Sequence, residues 1–143
     1  MNITHNQPSL TLEAAHRLAA IGQNCSDEMG FKMIVVVSDA AGIPLVLLRN
    51  PAAPIGALEF AERKAYTAAS YGWPSGQWSD ILEGRAVVAQ SLSQHPKLCF
   101  VGGGIPVKVD GQVVGAIGVA GAKAPEDHAV AQAALERFFA EMG

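Results

Sequence analysis

Gly102-Gly103-Gly104-Ile105-Pro106-Val107-Lys108-Val109-Asp110-Gly111-Gln112-Val113-Val114-Gly115-Ala116-Ile117-Gly118-Val119-Ala120-Gly121 is the stretch that decides the fold class. Val107 to Val109 reads as a strand. Asp110-Gly111 reads as a two-residue hairpin turn, because glycine readily takes the positive φ such a turn demands. Gln112 to Ala120 reads as the returning strand. The glycines at 115, 118 and 121 leave room for close approach to the backbone by a helix, a second subunit or a ligand.

The same logic extends outward. Thr11 caps a helix that runs to about Met29 and stops at Gly30, with Leu18, Ile21, Cys25 and Met29 on one apolar stripe. Lys32 to Ser38 and Ile43 to Arg49 read as a second hairpin. Its turn, Asp39-Ala40-Ala41-Gly42, has Asp first and Gly fourth, as a type I turn prefers. Pro44 places that end of the strand at a sheet edge or bulge. A helix over about Ile55 to Tyr71 carries Leu58, Ala61, Ala65 and Ala68 on its buried face, and these small residues permit close packing. A further helix is expected over about Gly76 to Ser91, and a short extended piece over Leu98 to Val101. Pro125 opens a last helix to about Met142. Hairpins between helices favour an α+β fold with an antiparallel sheet over a parallel doubly wound one.

The chain has 143 residues, 50% hydrophobic and only 16% charged, with a formal net charge of -3. This length suits one domain, expected over residues 9–143 behind a loose tail at 1–8. Low charge argues for burial of extra surface in a homo-oligomer, a dimer or higher. The net charge offers no attraction to nucleic acid or anionic lipid. Cys25 and Cys99 fit no metal or redox spacing and read as buried thiols. No basic-then-apolar leader is visible and no apolar run reaches the ~20 residues of a membrane span, so the expected location is cytoplasmic.

The glycine–hairpin block joins three other motifs: Val36-Val37-Ser38-Asp39-Ala40-Ala41-Gly42, Ala61-Glu62-Arg63-Lys64-Ala65 and Glu126-Asp127-His128-Ala129-Val130-Ala131. Together, in this order, they resemble the GlcG/HbpS-like or heme-degrading domain family, related to the PduO C-terminal domain, from about Leu10 to Leu135. The resemblance implies a profilin-like fold with a five-stranded antiparallel sheet. It also implies a heme binder, a cobalamin-pathway accessory domain, or a product of a catabolic operon.

Few residues suggest chemistry. His16 lies about 200° around its helix from Leu18, so it points away from the core stripe. It reads as an exposed or interface residue, and the resemblance makes it a candidate heme axial ligand. Lys64 beside the alanine face reads as a rim lysine, either snorkelling or contacting an anion. Arg49 ends a strand where the family typically has Arg-Met-Asp; here Arg49-Asn50-Pro51 lacks the acid. Arg49 itself reads as a solvated strand end or a carboxylate clamp. Gly102, Gly103 and Gly104 read as a backbone-amide nest for an anion or heme propionate, or as a loop passing close to other backbone. Asp127 suits the positive end of the last helix. His128 stands where the family usually has Glu, and this departure reads as an added titratable group, a metal ligand, or an ordinary surface histidine. No Ser-His-Asp, Cys-His or metal-ligand spacing is present.

The expected function is binding of a carboxylate-bearing small molecule, heme among the candidates, between subunits near Arg49, Lys64, residues 102–104 and Asp127. The alternative is an enzyme acting on a small carboxylate or reactive catabolic intermediate, with Lys64, Asp127 or His128 as acid or base. A third reading is an assembly module for a partner enzyme.

Overall fold

A computed structural model describes residues 1–143. Helix α1 (Leu12–Glu28) leads into strands β1 (Ile34–Asp39) and β2 (Pro44–Arg49). Helix α2 (Ala57–Tyr71), a 3₁₀ turn (Ser75–Gln77), and short helices α3 (Trp78–Ile81) and α4 (Ala86–Ser93) follow. Strands β3 (Gly104–Val109) and β4 (Gln112–Ala120) and helix α5 (Ala124–Met142) complete the chain. The sheet is wholly antiparallel, in the order β2-β1-β4-β3.

The expected α+β class stands, with four strands rather than five. Leu98 to Val101, expected as a short extended piece, forms no strand and joins no ladder. Side-chain hydroxyls take its backbone groups instead. Cys99 N–H donates to Thr67 Oγ1 at 2.9 Å, and the Val101 carbonyl accepts from Ser75 Oγ at 2.6 Å. The helix expected over 76–91 is broken in two, because Gly84 takes φ +73° and Arg85 leaves the helical region. Strand β3 starts at Gly104, earlier than Val107. Pro106 is tolerated inside it because β3 is an edge strand, where one ladder donor can be spared.

The β-strand period of two sorts side chains to two faces. Val35, Val37, Ile117 and Val119 face α1 and α5 and build a 17-residue core. Ile34, Val36, Ala116 and Ala120 face α2, whose Ala57, Ala61, Ala65 and Ala68 meet them. Three layers result, with α2 covering the second face of the sheet. Gly118 sets the spacing of that layer: a Cβ there would collide with the Ala61 carbonyl and the Ala65 backbone. The three approaches left open at Gly115, Gly118 and Gly121 are thus resolved as contacts within the chain. Gly118 meets α2, while Gly115 and Gly121 meet the backbones of Ser38 and Lys32.

Two ion pairs clamp α1 to α5. Arg17 pairs with Glu141, and Arg137 with Glu28 at 2.8 Å. The two helices therefore run antiparallel, with the start of α5 far from the start of α1. Residues 1–11 form neither helix nor strand, but Leu10 N–H donates to the Val114 carbonyl at 2.9 Å. The Asp110-Gly111 turn has φ of 51° and 78°, as a type I′ hairpin requires.

Candidate functional site

Close packing of α2 on β4 carries Lys64 beneath the glycine segment. Its side chain is 3% exposed, so it is a buried lysine and not a rim residue. Nζ reaches around the end of the sheet to the opposite helical layer, where it meets Asp127 Oδ2 at 2.8 Å in the first turn of α5. Asp127 is equally buried. Its second oxygen, Oδ1, accepts Ala122 N–H at 2.9 Å. Buried charges need this pairing, since each alone would carry a large desolvation penalty.

Val119 shows how the pair is built into the sheet. Its N–H donates to the Gly103 carbonyl at 2.9 Å. In a regular antiparallel pair Gly103 N–H would return a bond to the Val119 carbonyl. Lys64 Nζ takes that carbonyl instead, at 3.0 Å. Gly103 N–H is left with no backbone acceptor, and neither Gly102 nor Gly121 N–H has one. Gly103 has φ +130°, and a Cβ there would strike the Val119 carbonyl and crowd Lys64 Nζ. Only glycine lets the ammonium through. Of the three ammonium protons, two are used and one has no partner within the chain.

A cavity of about 420 Å³ lies over this pair, walled by Ala57, Phe60, Val101 and Ala122, with Lys64 and Asp127 at its floor. A second, wider groove of about 740 Å³ lies on the other side of the α5 start. Gly102 and His128 line it, and Val101 and Ala124 form a wall common to both spaces. The structure therefore brings Lys64, Asp127 and the glycine segment together, but sends His128 into a different space from the ion pair. No acid–base set of Lys64, Asp127 and His128 converges on one point.

The other predicted residues lie elsewhere. Gly104 is the first residue of β3, and its N–H is taken by Ser75 Oγ at 2.9 Å, so it offers nothing to a ligand. Arg49 is exposed at the end of the outer strand, in no ion pair. It shares a cross-strand row with Ile34 and Ala120, about 10 Å from the latter across two strand spacings. His16 is exposed on α1. Its neighbour Arg17 pairs with Glu141, and Glu141 and Asp127 stand fourteen residues apart on α5, about 21 Å of helix.

Ser75 escaped sequence reasoning. It is buried and bridges the Val101 carbonyl and the Gly104 N–H, fixing both ends of the glycine segment. After Trp73-Pro74 it reads only as a helix stop. Trp78, 3% exposed, lies tilted 4.9 Å from Phe100, which lines the wider groove, and meets Tyr71 edge-on.

Residues 10–136 match the family model described as haem degrading protein HbpS-like, and the chain belongs to that family. A 15.0 kDa protein in the dhaT-dhaS intergenic region of Citrobacter freundii is 28% identical over 96% of this chain and 98% of its own length. Protein GlcG of Escherichia coli K12 is 33% identical over 77% of this chain and 80% of its own. The corrinoid adenosyltransferase PduO of Salmonella typhimurium is 27% identical over 89% of this chain, which spans only 38% of that enzyme. Among solved structures, a double mutant of Streptomyces reticuli HbpS superposes with a TM-score of 0.86 at 33% identity, covering 96% of this chain and 92% of that one. A complex of PduOC with heme gives 0.82 at 26% identity, covering 90% and 94%.

Proposed function

We propose that this protein binds a small carboxylate-bearing ligand in the cavity over Lys64 and Asp127, with heme a candidate because its propionates meet the same requirement. The observation that carries the reading is the unspent ammonium proton of Lys64 beneath a largely apolar cavity, which Gly121, whose amide has no backbone acceptor, also lines. A few convergent donors in an apolar space are what an orienting carboxylate site requires. A hydrogen bond from a charged donor contributes roughly 1.5–3 kcal/mol. Family membership and the heme complex of the related PduOC support heme among the carboxylates.

The cavity mouth supports a homo-oligomer. Phe60 and Val101 on its walls, and Ile55 beside Pro54 and Gly56, are apolar and substantially exposed in one chain. A second copy laid over them would close the site and exclude water.

The test is a thermal-shift panel of small hydroxy acids and other carboxylates, with hemin included, followed by titration of the hits. Ala122→Asp places a like charge at the mouth while keeping both side chains of the ion pair and the Ala122 backbone N–H that Asp127 accepts. It should weaken a true carboxylate about tenfold, roughly 1.4 kcal/mol. Equal affinity in wild type and Ala122→Asp would place the ligand elsewhere, and an empty panel would remove the carboxylate reading. Slow consumption of a hit by wild type only would turn the reading from binding to catalysis.

A further inference from the structure

The floor of the Lys64 cavity presents both signs of charge side by side. Lys64 Nζ and Asp127 Oδ2 stand 2.8 Å apart, and no other residue lining the cavity is charged. Each end of the pair has capacity left. Lys64 spends one ammonium proton on the Val119 carbonyl and one on Asp127, and keeps a third. The Asp127 carboxylate has about four lone-pair sites. Oδ2 uses one on Lys64 and Oδ1 uses one on Ala122 N–H, and nothing else in the chain donates to either oxygen. Both side chains are almost wholly buried, where an unmet donor or acceptor is costly.

A bare carboxylate answers only half of this floor. It accepts the spare Lys64 proton, but it sets a second negative charge close to Asp127, where the two repel. It also brings no proton for the Asp127 oxygens. A hydroxyl on the carbon next to the carboxylate meets both objections. The hydroxyl donates to Asp127 while the carboxylate accepts from Lys64. The ligand then shows a donor and an acceptor on neighbouring atoms, as the floor does. A carbonyl at that carbon fails the same test, because it accepts and cannot donate. The walls, with Phe60 and Val101 among them, enclose about 420 Å³, which leaves room for a short apolar substituent.

We infer that the Lys64–Asp127 pair selects 2-hydroxy carboxylates, with Asp127 accepting the hydroxyl proton of the ligand and Lys64 donating to its carboxylate. This rests on the reading that a small carboxylate occupies the cavity, and it narrows that class by a criterion a plain propionate does not meet. Asp127 thereby sets specificity as well as neutralising Lys64. An unanswered buried carboxylate is what turns the wrong acid away.

The experiment is calorimetric titration of matched acids into wild type and Asp127→Asn, with folding checked by circular dichroism. The acids are both enantiomers of lactate with propionate and pyruvate, and 2-hydroxybutyrate with butyrate. In wild type the better lactate enantiomer should bind about tenfold or more tightly than propionate and pyruvate, the worth of one hydrogen bond to a charged group. The 2-hydroxybutyrate–butyrate pair should differ in the same direction. Asp127→Asn puts an amide donor in place of one acceptor oxygen, and the advantage of the hydroxy acids should fall to near equality. Should that variant not fold, the wild-type ratios decide alone. Equal affinity of hydroxy and plain acids in wild type overturns the inference and leaves the carboxylate reading in place. An undiminished preference in folded Asp127→Asn overturns the role of Asp127. Binding of none of these acids overturns both the inference and the reading beneath it.

Discussion

Lys64 and Asp127 are separated by 63 positions and sit on helices packed against opposite faces of the sheet. Each side chain was legible as a candidate: Lys64 from its motif beside an alanine face, Asp127 from its place at a helix start. Their partnership was not, because no local spacing encodes a bond that passes around the end of a sheet. The rim position expected for Lys64 failed for the same reason. An ammonium beside small residues reads as snorkelling until a buried carboxylate is found within reach. The consequence for mutation is large. Lys64→Met, which would spare the fold at a rim, here leaves Asp127 buried and uncompensated. We expect Lys64→Met and Asp127→Leu each to lower stability by about 3–5 kcal/mol, and the double variant to recover most of it. Urea unfolding of the four proteins measures this. Additive losses in the double variant would mean that the two groups do not depend on each other.

Among the elements, those with strong periodicity or explicit punctuation were readable. Thr11 caps α1 as expected, its hydroxyl accepting Ala14 N–H at 3.1 Å, and both hairpins fall on their turn residues. The segment between α2 and β3 was not readable in full, because the expected helix breaks at Gly84 and Arg85 and the stretch after it is held by Thr67 and Ser75 from far along the chain. The α1–α5 clamp was also invisible, since its charges lie more than a hundred positions apart. Hydrogen bonds from Arg137 and Arg17 hold the carboxyls of Glu28 and Glu141 below the usual glutamate range. Unfolded glutamate titrates near about 4.3. The clamp's contribution is therefore complete above that pH, and is lost as pH falls through the lower folded values. In thermal melts, Glu28→Gln/Glu141→Gln should be less stable than wild type near neutrality, with the gap closing below about pH 4. A gap that persists unchanged in acid would mean that the loss comes from packing and not from charge.

At the scale of the molecule, the α+β class followed from hairpins alternating with helices. The strand count did not, because the fifth strand came from family likeness, and the stretch at 98–101 is bound by hydroxyls instead of a neighbouring strand. No helix is long and apolar enough to cross a membrane. The apolar content that suggested self-association now has a location. Helix α4 buries none of its residues, and Val87 is 78% exposed. Together with Ile55, Phe60 and Val101 this is more apolar surface than a small monomer comfortably shows water. Sedimentation at micromolar concentration should give a dimer or larger, and Val87→Asp or Phe60→Asp should shift it toward the single chain. A monomer in wild type would defeat the oligomer.

The ladder bond that Lys64 takes from Gly103 has one more effect. Gly103 is buried, but its N–H is tied to no backbone oxygen, so no ladder bond has to break before it exchanges. Among the amides around β4 it should be a fast exchanger in deuterated water, surrounded by slow ones. A ligand seated over Lys64 would cover the Lys64 end of this segment and slow that exchange. The exchange rate of this single amide thus reads occupancy of the cavity directly, before the ligand itself has been identified.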